Sequence, residues 1–427
     1  MRLLRDSSHD LLLGGVNLTA LASDCGTPTY AYDLDAMVAE AASLTKAFED
    51  TPHRVAYAVK ACAAGAIVRA LVRAGCGADV VSGAELLLAL ACGVGPDRIV
   101  YSGVAKTDDE LDCAIGHGIL AIQVESVEEI SRVEARARAA GRTALVGIRI
   151  NPGVDVEGAT HAHIATGHDR AKFGVPGPDV THAVELCERS PDLELVGMAA
   201  HVGSHLTEVE PYLESARVLF RRVRALRDDG RARSLRFVDT GGGFGVDYGD
   251  RGVDAPVPRP GDFVRAVRAE QRAQRLDDLA LFVEPGRSLV APHGVLLASV
   301  IQIKVAEAAR WLMIDAGMND LIRPALYQAH HRIVPLRGDV AGATAMAWRV
   351  VGPVCESSDD FGEHLLPRDP PAAVAILDAG AYGYSMASRY NGRQLPVEVF
   401  VSGGRVVART RRATAQEWAD ERAKVGL

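Results

Sequence analysis

Eight short runs of β-branched and aliphatic residues recur along the first two thirds of the chain, at 54–59, 77–81, 98–101, 120–124, 143–150, 193–201, 235–240 and 279–284. Windows of helical spacing follow the first seven, at 63–74, 84–92, 107–116, 127–140, 180–189, 208–229 and 261–274, the fifth of them separated from its run by a long Gly/His-containing loop. Strands alternating with helices predict a parallel sheet with right-handed crossovers. The runs are continuously apolar, as strands covered on both faces must be. Eight such units in about 250 residues match a TIM-type (β/α)8 barrel. A doubly wound open α/β sheet is the alternative reading of the same pattern.

Beyond residue 287 the pattern changes. Strand-like runs at 295–305, 311–315, 345–351, 373–377 and 397–409 follow one another without long helical windows. Ser402-Gly403-Gly404-Arg405 reads as a hairpin turn within the last run. A further strand pattern at 29–32 precedes the first barrel unit. The expected division is an N-terminal segment, 1–35, packing with a C-terminal β domain, 291–427, around a barrel at 36–290.

The 427 residues are 48% hydrophobic and 24% charged, ordinary values for a globular chain and incompatible with disorder or a collagen repeat. A net charge of −8 argues against a nucleic-acid partner, which calls for a basic excess. Seven cysteines contain no CxxC pair, so neither a disulfide framework nor a zinc ribbon is expected, and no metal. The N-terminus lacks an apolar signal core, and the longest apolar runs are about half a membrane span. A cytoplasmic protein with no membrane partner is the expectation.

Polar and glycine-rich positions gather at the C-terminal ends of the predicted barrel strands, where barrel enzymes place their active sites. Lys60 ends the first run between apolar neighbours, a setting that frees an amine as a Schiff-base nucleophile; a rim lysine paired with Asp79 is the structural alternative. His201 ends the sixth and could stack on a flat ring or simply pack in the core. Gly241, Gly242 and Gly243 follow the seventh, where barrel phosphate sites concentrate, although a tight turn explains them too. Glu284-Pro285-Gly286-Arg287 closes the eighth; a carboxylate against a pyridine nitrogen would hold that nitrogen protonated, and an ordinary Glu–Arg pair is the plain reading. In the β domain, Cys355 could deliver a proton or be a buried thiol, with the acidic run from Glu356 to Asp360 a solvated loop. Arg323 and Tyr327 could grip a carboxylate or be a surface arginine and a core tyrosine, and Tyr382 lies in a Gly/Ala-lined loop.

In order along the chain stand YAVKA (57–61), GADVVSGAEL (77–86), SGVAKTDDEL (102–111), HAHIATG (161–167), KFG (172–174), HVGSHLTEVEPY (201–212), DTGGGFG (239–245), EPGRSLVA (284–291), DAGMNDLIRPALY (315–327), VGPVCES (351–357) and DAGAYGYSM (378–386). Together they resemble the fold-type III pyridoxal-phosphate decarboxylases, which share their barrel with alanine racemases, and within them the diaminopimelate decarboxylases. The resemblance implies a pyridoxal 5'-phosphate cofactor joined to Lys60, with Asp79 nearby, His201 stacked on the ring and Glu284 at its nitrogen. It places the cofactor phosphate with Ser204, Gly241–Gly243, Gly286 and Tyr382, counts Arg287 among the cofactor-binding residues, and makes Cys355 the proton donor. Arg287, Arg323, Tyr327, Glu356 and Tyr382 would contact substrate, and a homodimer would share its active sites, the cysteine loop coming from the partner.

The implied reaction converts meso-2,6-diaminopimelate into L-lysine and carbon dioxide. Two arginines, and glutamate rather than aspartate after the cysteine, favour a substrate with a distal carboxylate as well as an amine. A paralogue acting on ornithine, arginine or another amino acid is the same-class alternative, and a non-catalytic regulator the alternative of another class. A racemase is disfavoured by Glu284 and Cys355. The sequence departs from the family pattern at Cys62, His205, Ser358 and Ala329-His330-His331.

Overall fold

The computed structural model of the chain describes residues 4–154, 172–249, 256–307, 309–338 and 344–424. They form two compact units: Val38–Val246 with Val257–Ser288, and Met1–Met37 with Asp247–Pro256 and Leu289–Leu427.

The first unit is a closed barrel of eight parallel strands: His53–Ala58, Gly77–Val80, Ile99–Tyr101, Ala121–Val124, Ala144–Ile150, Leu193–Ala200, Phe237–Asp239 and Ala280–Val283. The eighth pairs in parallel with the first, Leu281 opposite His53 and Val283 opposite Val55, so the open doubly wound sheet is excluded. The crossover helices start where short side chains satisfy their first amides. Ser82 accepts from Glu85 N, Ser126 from Glu129 N, and Thr107 forms a reciprocal capping box with Glu110. Inside the barrel, Ala56, Val100, Ala121, Val196, Phe237 and Phe282 form an apolar layer. The Phe237 and Phe282 rings stack at 4.3 Å, and Gly197 leaves room for them: a Cβ there would lie 2.1 Å from Phe237.

The second unit is mainly β. Strand Gly294–Val305 is its spine, antiparallel to Arg310–Ile314, Ala373–Ile376 and the N-terminal strand Thr29–Asp33. Thr29–Asp33 also pairs in parallel with Val397–Ser402, which turns through Gly403 and Gly404 into Arg405–Arg409. Elements outside the sequence reading include helices Leu18–Cys25, Leu34–Lys46 and Ala415–Ala423 and strands Ile333–Pro335 and Asp360–Pro367. Asp360–Pro367 pairs along its length with Ala345–Val351, and its alternating burial makes it one-faced. Among the described residues no helix is long and apolar enough to cross a membrane.

Candidate active site

The barrel brings Lys60, Asp79, His201, Ser204, Gly241–Gly243, Glu284, Gly286 and Arg287 into one unit, at or just past strand C-terminal ends. Lys60 stands in a 3-10 turn, Val59–Ala61, directly after the first strand rather than in it. Its Nζ donates to Asp79 Oδ2 at 2.6 Å. Asp79 is fully buried, while the lysine side chain keeps 37% exposure, so the amine is anchored on a side chain that remains partly accessible.

The strand-eight exit is locked to this turn. Ala58 N donates to Pro285 O at 3.1 Å, and a Cβ on Gly286 would fall 3.0–3.1 Å from Ala61 and Ala58. Glu284, half-buried, receives the Ser102 hydroxyl at 3.3 Å. Burial, then the neighbouring carboxyls of Asp239 and Asp79, push its pKa well above the usual carboxylate range, and Asp239 is driven up chiefly by its own burial. The crowded, buried carboxyls therefore favour the protonated form of Glu284.

His201 Nδ1 accepts from Gly242 N at 3.2 Å, which leaves the ring proton on Nε2. Burial, with Arg149 and Lys60 nearby, holds its pKa well below the ordinary value, so the imidazole is neutral.

The three glycines are required by close backbone approach. Gly241 and Gly243 have φ of +73° and +93°, and Cβ atoms on Gly242 and Gly243 would lie 2.0 Å from Glu284 O and 2.1 Å from Gly203 O. Gly241 N is engaged with Asp239 Oδ1 at 2.8 Å and Gly242 N with His201. Gly243 N is thus the amide of the three with no acceptor among the described residues. Ser204 Oγ accepts from Arg287 Nη2 at 2.9 Å.

Sequence reasoning passed over Arg149 and Glu125. Arg149 lies buried within strand Ala144–Ile150 and pairs with Glu125 at 3.2 Å. Glu125 also accepts from Gly103 N and Gly174 N, and the Arg149 guanidinium lies 4.9 Å over the Phe173 ring. A charged residue inside an otherwise apolar strand was the available signal. HAHIATG at 161–167 lies outside the described residues.

Arg323, Tyr327, Cys355, Glu356 and Tyr382 belong to the β-rich unit. Arg323 is buried, not a surface residue; it donates to His331 Nε2 at 2.7 Å and stacks 4.5 Å over the Tyr248 ring. His331 Nδ1 donates in turn to Leu377 O at 2.8 Å, so the departure at His331 is what orients Arg323. Tyr382 has a left-handed backbone, φ +56°, uncommon outside glycine. Cys355 is exposed rather than buried, and its N–H is held by Asn391 Oδ1 at 2.9 Å. Glu356 Oε1 accepts from Tyr390 at 2.6 Å. The acidic run is not wholly a solvated loop: Asp359 is buried and accepts from Met318 N and Val354 N, both at 2.6 Å.

The barrel and the side chains at its strand ends define a cofactor-dependent (β/α)8 enzyme with an anchored amine beside carboxyls of raised proton affinity. The chain belongs to the pyridoxal-dependent decarboxylase family: the model described as "Pyridoxal-dependent decarboxylase, pyridoxal binding domain" matches residues 34–291. It is 39% identical over 412 residues to a diaminopimelate decarboxylase of Pseudomonas fluorescens, covering 96% of this chain and 95% of that one. It is 38% identical over 421 residues to that of Zymomonas mobilis, covering 97% of each. A diaminopimelate decarboxylase from M. jannaschii, solved in co-complex with L-lysine, superposes with a TM-score of 0.90 at 34% identity, over 98% of this chain and 97% of that one.

The residues present fit pyridoxal phosphate. They supply an anchored amine, a carboxyl whose affinity for a proton is raised, a neutral imidazole and an open glycine amide beside a serine–arginine pair.

Proposed function

We propose that the protein decarboxylates meso-2,6-diaminopimelate, giving L-lysine and carbon dioxide as a terminal step of lysine formation. The observation that carries this reading is the Lys60–Asp79 pair beside His201 and Glu284, in a chain that follows diaminopimelate decarboxylases over nearly its whole length. Bound pyridoxal phosphate would supply an electron sink for the pair left behind when the α-carboxylate departs.

Lys60 is the amine that would hold the cofactor and release the product. Asp79 orients it through the 2.6 Å contact. Glu284 keeps a proton to share with the ring nitrogen, and neutral His201 offers an uncharged face for stacking. Ser204, Gly241, Gly242, Gly243, Gly286, Arg287 and Tyr382 would hold the phosphate, with Gly243 N the most available of the glycine amides. Arg323, Tyr327, Glu356 and, with its second role, Arg287 would read the distal end of the substrate. The thiol of Cys355 would return one proton to the α-carbon.

Cys355 would come from the second chain of a homodimer. An apolar row supports such a dimer: Ile301, Ile303 and Val305 are 67%, 44% and 62% exposed on the spine strand, with Leu365 at 68%. The β-rich unit would thus serve as both substrate reader and dimer surface, in a cytoplasmic enzyme. The test is a substrate panel, loading the protein with pyridoxal phosphate and measuring carbon dioxide from meso-diaminopimelate, ornithine and arginine. Release from meso-diaminopimelate alone is expected; a preference for ornithine or arginine overturns the substrate assignment.

A further inference from the structure

At the N-terminal end of the barrel, away from the strand ends that carry Lys60 and Glu284, lies a cavity of about 330 Å3. Thr45, His53, Arg54, Gly75 and Arg98 contribute to its wall. His53 and Arg54 begin the strand whose far end leads to Lys60, roughly 20 Å away at ~3.3 Å per residue.

The two arginines differ in how the fold explains them. Arg98 Nη2 donates to the carbonyls of Gly75 and Cys76, the latter at 3.0 Å, and so closes the turn after helix Gly65–Arg73. That is a sufficient structural role. Arg54 has none of this kind. Its guanidinium lies 5.6 Å over the Phe282 ring, and its Nε is buried with no hydrogen-bond partner among the described residues. Neither arginine forms an ion pair among the described residues. His53 is committed by its Nδ1 contact with Thr51 O at 2.8 Å and by stacking on Phe48 at 4.2 Å.

The place for Arg54 is nonetheless built. A Cβ at Gly77 would meet Arg54 Cδ at 3.2 Å and Arg98 O at 2.4 Å, so glycine there lets the arginine stem pass. Burial, then the charge of Arg98, lower the pKa of Arg54. Among the described residues no carboxylate contributes to the cavity wall, and Asp97 nearby offsets only part of the repulsion between the two guanidiniums; an anion between them would relieve the rest.

We propose that Arg54 and Arg98 form a second binding site, for a phosphate-type oxyanion: inorganic phosphate or the phosphoryl group of a small phosphorylated molecule. Guanidinium forks match such oxygens in geometry as well as charge. The site is separate from the cofactor's and independent of which amino acid the enzyme consumes.

Calorimetric titration of the pyridoxal-phosphate-loaded protein tests it, the cofactor's own phosphate position being filled. Inorganic phosphate and glycerol phosphate are titrated in parallel, with acetate as control. Saturable binding of one anion per chain by either phosphate ligand is expected, and the tighter of the two identifies the source. Arg54→Gln should weaken that binding by ~10-fold or more, the loss of one charge-assisted contact, with carbon dioxide release unchanged. Arg98→Gln is measured beside it, so that a folding defect in one variant leaves the test intact. Absence of saturable binding by either ligand, equal binding of acetate, or undiminished binding in the folded variants overturns the proposal.

Discussion

Replacing Gly242 by alanine tests how the barrel builds its site. The added Cβ would stand 2.0 Å from Glu284 O and 2.8 Å from Glu284 C. Both are backbone atoms, so no side-chain rotation relieves the contact. The loops after strands seven and eight must part by roughly 1 Å or more to restore ordinary van der Waals separation. Overpacking of this kind costs about 1–3 kcal/mol. The functional cost should be larger, because the same movement shifts Glu284 and withdraws the Gly242 N–H that fixes the His201 tautomer. A displacement of that size in a positioning element lowers turnover by ~10²-fold.

Gly116 provides a matched control. It is exposed in helix Asp108–His117, and a Cβ there meets nothing within 4 Å. Gly116→Ala should be neutral or stabilising by about 0.5–1 kcal/mol. Thermal unfolding, absorbance titration with pyridoxal phosphate and carbon dioxide release measure the three effects. Wild-type cofactor affinity and turnover in Gly242→Ala, or an equal loss in the control, would refute the reasoning.

Three further outcomes are expected. Asp79→Asn keeps the shape beside Lys60 and removes the charge; because the lysine is more than a third exposed, stability should change little while kcat falls ~10- to 100-fold, and an unchanged kcat would contradict the anchoring role. Arg323→Ala should cut kcat/KM for meso-diaminopimelate by ~10²-fold and spare a substrate lacking the distal carboxylate, as a comparison of the two substrates will reveal. Glu398 is buried, accepts the Tyr32 hydroxyl at 3.1 Å, and is pushed up to about 7 by its burial. The folded state therefore holds a proton that the unfolded chain releases near the ordinary value, so its stabilising effect is complete at low pH and is lost as pH rises from about 4.5 to about 7. Glu398→Gln should match wild type near pH 4 and exceed it near pH 8 by up to about 3 kcal/mol in chemical denaturation; parallel profiles would count against the shift.

The barrel was legible because its strands are covered on both faces and read as apolar runs, unbroken in Ile99–Tyr101 and Ala280–Val283. Strand Asp360–Pro367 was not, because one face is solvated and its Asp, Gly, Glu and His residues resemble a loop until Ala345–Val351 pairs with it. The barrel site was visible as polar residues at strand ends. What sequence could not supply was pairing between distant positions: Arg149 acquires meaning only opposite Glu125, and His331 only beneath Arg323. The glycine triplet was legible as a cluster, yet the commitment of two of its amides to Asp239 and His201 depends on strands six and seven lying side by side.

The most direct measurement follows carbon dioxide and L-lysine together after meso-diaminopimelate is added to the purified, cofactor-loaded protein, with Lys60→Ala alongside. Equal amounts of the two products are expected from wild type and neither from the variant. Protein that binds pyridoxal phosphate yet releases no carbon dioxide, or a Lys60→Ala variant that turns over like wild type, would contradict it.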